Sequence, residues 1–192
     1  MIPVSPSPST RRRYVRNIIS VFESATPDQR AEGYAWYRAA NGIASMICEG
    51  DVRKGAGLLA ALSPQTSWWL NVELASDTAE HGFASGHFRD ACSKAHRILA
   101  GDDPETVLPM RRKTGQFFLC IVDPQHPTAV CVDRHAHDLM TGRPWGDASR
   151  GLDAHGRYAM VADCYRRAGA RLGVTPATVQ AVTWVAWRER QS

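Results

Sequence analysis

Residues 58–75 read LLAALSPQTSWWLNVELA, and this stretch sets the helical character of the chain. Its first part continues an Ala-, Leu- and Gly-rich segment that begins at Lys54, and such small side chains favour a helix packed closely against its neighbours. Pro64 ends that helix because a proline has no backbone N–H to donate to the next hydrogen bond. The residues from Trp68 to about His81 then predict a second helix after a short loop.

Helical patterns continue on both sides of this stretch, and strand patterns are almost absent. Pro124 and Pro127 exclude regular structure over residues 123–127, and residues 128–132 form the one β-like run. Asp133, which follows that run, occupies the position of a helix N-cap. The sequence therefore predicts an all-α fold. Its helices are expected over 27–48, 54–62, 68–81, 87–99, 113–122, 155–172 and 176–190.

The length and the ends of the chain set its expected organisation. The chain has 192 residues, enough for one domain with a real hydrophobic core. Residues 1–10 are rich in Pro and Ser and are expected to form a flexible tail, so residues 11–192 are expected to form a single compact helical domain. The opening residues contain no apolar targeting segment, and no run approaches the ~20 apolar residues of a membrane span.

Cysteine usage and charge limit the classes of function. Five cysteines without a C-x-x-C spacing indicate reduced thiols in a cytoplasmic protein and favour neither a zinc nor an iron–sulfur site. The formal net charge of +4 permits an anionic partner. Arginines crowd residues 11–16, and a second basic cluster, Arg111, Arg112 and Lys113, lies in the middle of the chain.

Lys113 and Asp133 are the residues with the clearest chemical potential. A lysine amine is a nucleophile only when it is neutral, and like-charge repulsion from Arg111 and Arg112 favours that form. At a helix N-terminus Asp133 is expected to be a carboxylate, suited to stabilising positive charge on a sugar ring or to accepting a proton from the lysine. Taken alone, the two residues also fit an exposed lysine and an ordinary helix cap.

Four segments together carry a resemblance to a known family across about 80 residues. They resemble the endonuclease III branch of the helix-hairpin-helix DNA glycosylases. That branch has a Leu-Ser-x-Gln stretch, a Ser-Lys-Ala helix start, a Leu-Pro-Gly-x-Gly-x-Lys-Thr hairpin and a Val-Asp-x-His signature, in this order. The matching segments are LLAALSPQTSWWLNVELA (58–75), SKAHRIL (93–99), LPMRRKT (108–114) and AVCVDRHA (129–136).

The resemblance implies a compact fold of two helical lobes. The central lobe would comprise residues 28–122, and the second lobe would comprise residues 133–192 together with the N-terminal helix. The resemblance also implies a DNA N-glycosylase, with or without an associated lyase activity, that flips a damaged or modified nucleotide out of duplex DNA. Lys113 would form the Schiff base and Asp133 would be the catalytic aspartate. A monomer without a cofactor or a metal ion is expected. The other DNA-binding residues would be Ser63, Gln65, Trp68, Arg111, Arg112, Arg134 and His135.

The sequence departs from the family at the hairpin. Met110 and Arg111 stand between Leu108-Pro109 and Arg112-Lys113, so the hairpin is short and lacks the glycines that let backbone N–H groups approach a phosphate. Side-chain contacts from Arg111 and Arg112 are expected to replace that grip. The iron–sulfur cysteines of many relatives are absent as well. Over the whole chain, including VQAVTWVAWRER (179–190), the sequence resembles small uncharacterised proteins of actinobacteria and their phages.

Two alternative functions remain open. A protein that kept the fold without catalysis would be a nucleic-acid-binding or adaptor module. The pair His137-Asp138 resembles that of the metal-dependent HD phosphohydrolases, which are also all-α. Residues two apart on a helix point about 200° away from each other, so His135 and His137 are poorly placed to bind one ion. The surrounding sequence offers no supporting ligand spacing.

Overall fold

The computed structural model describes residues 1–190, and this range contains eleven helices and no strand. The all-α prediction is confirmed. None of these helices is long and apolar enough to cross a membrane. The helices are α1 Pro8–Glu23, α2 Pro27–Ile47, α3 Val52–Leu62, α4 Trp68–His81, α5 Arg89–Leu99, α6 Pro104–Val107, α7 Lys113–Val122, α8 Arg134–Thr141, α9 Asp147–Arg150, α10 Arg157–Leu172 and α11 Pro176–Arg190.

The chain forms two compact units. Unit 1 comprises Met1–Trp36 and the described residues from Gln125 onward, and unit 2 is Tyr37–Pro124. The boundary lies inside α2, whereas the sequence placed the start of the central lobe at residue 28. The N-terminal helix groups with the C-terminal helices, and unit 2 contains α3 to α7.

Helix α3 is the centre of unit 2, and its small side chains explain why. All residues from Gly55 to Leu62 are buried. A Cβ atom at Gly55 would lie 2.0 Å from the carbonyl oxygen of Ala44, so α2 and α3 can approach this closely only because position 55 is glycine. The Ala- and Gly-rich composition of α3 therefore allows tight helix packing, as the sequence predicts.

Side chains from the loop after α3 and from the first turn of α4 satisfy the carbonyl groups at the C-terminal end of α3, which have no partners within that helix. Asn71 Nδ2 donates to the Leu59 carbonyl oxygen at 3.0 Å, and Ser63 Oγ donates to that of Ala60 at 3.0 Å. Thr66 Oγ1 donates to the Leu62 carbonyl oxygen at 3.2 Å. Ser67 then caps α4 by accepting from Leu70 N–H. The polar residues of SPQTSWWLN thus end one helix and begin the next.

A tight turn over 108–112 joins α6 to α7. Arg112 N–H donates to the Pro109 carbonyl oxygen at 2.8 Å, and Gln116 Nε2 donates to that of Met110 at 2.8 Å. The turn lies directly against the first turn of α7, because a Cβ atom at Gly115 would be 2.3 Å from the Met110 Cα. The glycine at position 115 of α7 therefore makes this compact turn possible.

Unit 1 has its own hydrophobic core, built mainly by α1, α8, α10 and α11. Ile18, Tyr165 and Val182 are fully buried in it. Tyr165 Oη donates to the Ala136 carbonyl oxygen at 3.0 Å, which links α10 to α8. The first part of α2 packs here too, with the Trp36 and Trp184 rings 5.0 Å apart. The core therefore supports α8 from several sides.

The β-like run over 128–132 is not a strand, which corrects the sequence-based interpretation. Val130 and Val132 are buried, as their apolar side chains suggest. Tyr158 Oη donates to the Val130 carbonyl oxygen at 2.9 Å and accepts from Val132 N–H at 3.0 Å. One buried tyrosine hydroxyl thus takes the place of a partner strand along this segment.

The N-terminal segment differs from the expected flexible tail over residues 1–10. Ile2 is 4 % exposed and belongs to the core of unit 1. Arg157 Nε donates to the Ile2 carbonyl oxygen at 3.1 Å. Ser7 caps α1 by accepting from Thr10 N–H, and the helix begins at Pro8. The Pro- and Ser-rich composition therefore reflects a helix start rather than a free tail.

Candidate functional site

Asp133 has a fixed position at the start of α8. Its Oδ1 accepts from Ala136 N–H at 2.8 Å, and its side chain is the N-cap of the helix, as the sequence predicts. The buried Cys131 and Val132 precede it, and the buried Ala136 follows. Asp133 itself is half-buried, so its carboxylate stands at the border between the core of unit 1 and the solvent.

A pocket of about 330 Å³ lies on unit 1 beside the first turn of α8. Its walls combine the indole rings of two tryptophans with arginine, aspartate and histidine side chains. Most of the lining side chains are ionisable, and the two indole rings are the main apolar part of the wall. The lining residues are Arg134, His135, Asp138, Pro144, Trp145, Gly146, Asp147, Arg150 and Trp187.

His135 contributes an imidazole to this pocket. Its ring is half-buried, and its Nε2 accepts from Arg134 Nε at 3.2 Å. Burial lowers the pKa of His135, the nearby Asp133 carboxylate acts to raise it, and Arg134 lowers it again. The net result is a pKa below 6.5, so the ring is neutral at pH 7. A neutral imidazole can exchange hydrogen bonds with a ligand without adding charge.

Asp138 and Arg150 line the pocket as an ion pair. Arg150 Nε and Nη2 donate to the two oxygens of Asp138 at 2.9 and 2.6 Å. His137 Nδ1 lies 2.9 Å from Asp138 Oδ1, and Trp145 N–H donates to Oδ2. Burial acts to raise the pKa of Asp138, but the hydrogen bonds from Arg150, His137 and Trp145 outweigh it and hold the pKa below 3.8. The carboxylate therefore stays ionised.

The same contacts bear on the metal-dependent alternative. His137 and Asp138 bond to each other, and Asp138 is further occupied by Arg150. Within residues 1–190 no group of three or more His, Cys, Asp or Glu side chains is arranged to hold a metal ion. The His137-Asp138 hydrogen bond thus belongs to the same network as the Asp138–Arg150 ion pair, beside the pocket.

Lys113 is the first residue of α7 in unit 2. Its side chain is half-buried, and the preceding Arg112, also half-buried, occupies the N-cap position without a side-chain capping bond. Arg111 is exposed at the end of the 108–112 turn. The predicted basic cluster therefore lies at the N-terminus of a helix, where backbone N–H groups point outward.

The other predicted DNA-binding residues lie at the α3–α4 loop and take different positions. Gln65 is exposed and has a φ of 60°, a left-handed conformation that is uncommon for a residue other than glycine. Trp68 is half-buried and packs edge-on against Phe117, with ring centroids 6.4 Å apart. Ser63 is buried and donates to Ala60, so the structure gives it a helix-ending role in place of the expected DNA contact.

The structure brings Arg134 and His135 together in the wall of one pocket, and Asp133 is the N-cap residue just before them but does not itself line the pocket. Sequence reasoning missed its other walls, because Trp145 and Arg150 lie in a glycine-rich connection and Trp187 reads as a core residue of α11. Their lining role depends on how the chain returns to α8, which no local pattern encodes. The pair Pro144-Trp145, flanked by Arg143 and Gly146, was the one available signal of a structured loop.

Comparisons with known proteins place the chain in one family. No curated protein and no solved structure matches it. The family that does match is described as a family of unknown function, DUF7178, and the match covers residues 1–191. The chain therefore belongs to the DUF7178 family.

Proposed function

We infer that the protein is a DNA base-excision enzyme, an N-glycosylase with an associated lyase step. The observation that carries this inference is the position of Asp133, whose carboxylate is fixed at the N-terminus of α8 next to a pocket lined by aromatic rings. A carboxylate held in one position beside a pocket suits a reaction in which positive charge develops on a sugar ring. The resemblance of residues 58–136 to the helix-hairpin-helix glycosylases supports the same assignment.

Lys113 is the proposed nucleophile. Its neutral amine attacks C1′ of the target nucleotide, the C1′–N bond breaks, and the base departs with the bonding electron pair and gains a proton. Asp133 stabilises the positive charge on the sugar, and the lysine nitrogen loses a proton to water. The sugar ring then opens as O4′ accepts a proton, and the resulting imine links lysine to C1′. Water then removes a proton from C2′, a C2′=C3′ double bond forms, and the C3′–O bond breaks so that the 3′ phosphate leaves with the bonding electron pair, which cleaves the strand.

The pocket on unit 1 is the proposed receiver of the extruded base. An enzyme cannot reach the C1′ atom while the base is stacked, so the nucleotide must flip out of the duplex. Trp145 and Trp187 line the pocket and are proposed to stack on the base through the indole faces that Arg143 does not cover. His135 offers a neutral imidazole for hydrogen bonding, and the exposed Arg134 is suited to a neighbouring phosphate.

Two features of unit 2 support contact with duplex DNA. Gln65 presents an exposed amide at the turn between α3 and α4 and is proposed to fill the space that the flipped base leaves. The helix–turn–helix formed by α6, the 108–112 turn and α7 is proposed to be a shortened form of the family hairpin. Arg111 and Arg112 are proposed to grip the backbone there through their guanidinium groups.

Borohydride trapping tests the proposal directly, because reduction of the imine leaves a stable covalent protein–DNA complex. The substrates are duplexes that carry a panel of damaged or modified bases and an abasic site. We expect trapping with at least one duplex and its loss in Lys113→Ala. The chain contains only three lysines, so Lys54→Ala and Lys94→Ala are matched controls that should retain trapping.

Two results would contradict the enzyme assignment. One is the absence of a covalent complex over the whole panel while the protein still binds DNA in a salt-sensitive way, which would identify a non-catalytic binding protein. The other is an activity that needs an added divalent metal and is lost when a chelator is present, which would favour phosphohydrolase chemistry. Trapping that persists in Lys113→Ala would instead assign the Schiff base to a different amine.

A further inference from the structure

The outer faces of α1 and α10 form a surface dominated by arginine. The two helices each contain four arginines, whereas their acidic residues are Glu23 and Asp163 alone. We call the solvent-facing set the arginine face. It consists of Arg12, Arg13, Arg16, Arg167 and Arg171, which are exposed, and Arg166, which is half-buried.

Direct contacts join the two helices into one surface. Arg11 Nη1 on α1 donates to Asp163 Oδ2 on α10 at 2.5 Å, and Arg167 Nε donates to the same oxygen at 2.8 Å. Asp163 is thus shared by two guanidinium groups. Among residues 1–190, no ion pair joins the other arginines of the face to a carboxylate. The face therefore keeps a large uncompensated positive charge.

The kind of charge points to phosphate groups. The chain has twenty arginines and three lysines, so its positive charge is carried almost entirely by guanidinium groups. A guanidinium presents a planar set of donors that matches phosphate oxygens with two parallel hydrogen bonds. Arg166 is already oriented, because its Nε donates to the Thr128 carbonyl oxygen at 2.8 Å.

A nucleic acid fits this face better than an anionic membrane. Helices that bind membrane surfaces insert an apolar face beneath the charged one. Here the apolar side of α1, which includes Tyr14, Val15 and Ile18, is buried in the core of unit 1. The large hydrophobic residues that are exposed in residues 1–190 all lie outside α1 and α10. A charged surface without an insertable apolar side suits a polyanion in water.

We propose that the arginine face binds the phosphate backbone of duplex DNA, independently of sequence, as a contact surface separate from the pocket beside α8. This inference shares the DNA partner of the proposed function but does not depend on catalysis. Its role is to hold the duplex through charge alone, which raises affinity and lets the protein move along undamaged DNA. The arginine face thereby holds the protein on undamaged DNA during its search, and the pocket recognises the target base.

The salt dependence of binding tests the proposal. An undamaged duplex with a fluorescent label is titrated with protein at salt concentrations from about 50 to 200 mM, and the slope of log K against log salt is measured by anisotropy. Each phosphate contact contributes about 0.9 to the magnitude of that slope. We expect Arg12→Gln/Arg16→Gln to lower the magnitude by about 1.8. The charge-matched control, Arg38→Gln/Arg89→Gln, alters two exposed arginines of unit 2 and should change the slope little.

The outcomes separate this inference from the enzyme proposal. An unchanged slope in Arg12→Gln/Arg16→Gln, or an equal fall in the control, would overturn the arginine face as a DNA surface. The arginine face would also be overturned as a DNA surface if Arg12→Gln/Arg16→Gln lost affinity for vesicles that contain an anionic phospholipid while its binding to duplex DNA stayed unchanged. A lowered slope in a protein that gives no borohydride complex would uphold the arginine face and reject base excision. Normal borohydride trapping with an unchanged slope would uphold base excision and reject the arginine face as a DNA surface.

Discussion

Arg150 holds Asp138 with both ends of its guanidinium group, through Nε to Oδ1 at 2.9 Å and Nη2 to Oδ2 at 2.6 Å. Asp138 belongs to α8 and Arg150 to α9, so this pair attaches the connection after α8 to the helix that carries Asp133 at its N-cap. Both side chains also line the pocket. The walls of the candidate site are thus fixed by the same contacts that stabilise unit 1.

Loss of the guanidinium group should destabilise the protein strongly. The Arg150 and Asp138 side chains are 12 % and 6 % exposed, so Arg150→Ala leaves a buried carboxylate with only His137 and Trp145 as partners. We expect the free energy of unfolding in urea to fall by about 3 kcal/mol, at the lower end for a broken buried ion pair. Arg143→Ala is the control. It removes an exposed arginine that stacks 4.7 Å from the Trp145 ring, and its cost should stay below about 1 kcal/mol.

Stability should also fall as the solution becomes mildly acidic, because of His137. Burial lowers the pKa of His137 below 6.5, although the hydrogen bond to Asp138 acts in the opposite direction. With Nδ1 donating to Asp138, protonation would place a charge on Nε2, which is buried without a hydrogen-bond partner among the described residues. The neutral ring therefore contributes stability above pH 6.5, and this contribution is lost as the pH falls through the lower pKa of the folded state.

The measurement is the free energy of unfolding at several pH values between neutral and mildly acidic. In His137→Asn the amide can still donate to Asp138 but has no proton to gain, so the decline should be shallower than in the unmodified chain. His135 is present in both proteins and cancels from the comparison. Equal slopes, or an NMR titration that places the pKa of His137 above 6.5, would contradict the assignment.

Asp133 should show two separable roles. Its side chain caps α8, and Asn caps a helix about as well as Asp does. Asp133→Asn should therefore change stability by only a few tenths of a kcal/mol, whereas Asp133→Ala should cost about 1 kcal/mol. Both variants should slow base release by about 10²-fold or more, because neither supplies a carboxylate. Single-turnover base release and urea unfolding measure the two effects, and a full rate in Asp133→Asn would reduce Asp133 to a cap.

The sequence predicted most of the fold because the helix boundaries are encoded locally. Helices α4, α7 and α11 begin and end at the predicted residues. Pro176 explains the start of α11, since proline is favoured in the first turn of a helix. Helix α5 starts two residues later than predicted because Phe88 has an extended backbone, with a ψ of 140°. The shift of two residues depends on the ψ angle of Phe88, which the pattern of residue types does not indicate.

The parts that the sequence missed depend on distant residues. Residues 128–132 read as a strand, but Tyr158, 26 residues beyond Val132, supplies the hydrogen bonds that a strand would. Ile2 looked like part of a tail because its neighbours are proline and serine, yet its side chain enters the core of unit 1. The pocket likewise required Trp187 to reach the first turn of α8. Local composition carries no information about such pairings.

The 108–112 turn should depend on Gly115, and two glycines allow a matched test. A Cβ atom at position 115 would lie 2.3 Å from Met110 Cα and 2.7 Å from the Pro109 carbonyl oxygen, both of them backbone atoms that cannot rotate away. Gly115→Ala should therefore push the turn off α7 and cost about 2 kcal/mol. Gly42 in α2 has nothing within 4 Å of the equivalent position.

Gly42→Ala should instead stabilise the protein by about 0.5–1 kcal/mol, because alanine loses less conformational freedom in a helix than glycine does. Thermal unfolding of the two variants should move in opposite directions from the unmodified chain. Gly115→Ala should also weaken borohydride trapping, since Lys113 begins the helix against which the turn packs. If Gly115→Ala kept full stability, the turn would have to accommodate a Cβ atom by a backbone movement, and the close approach of Met110 to α7 would not be what fixes the position of Lys113.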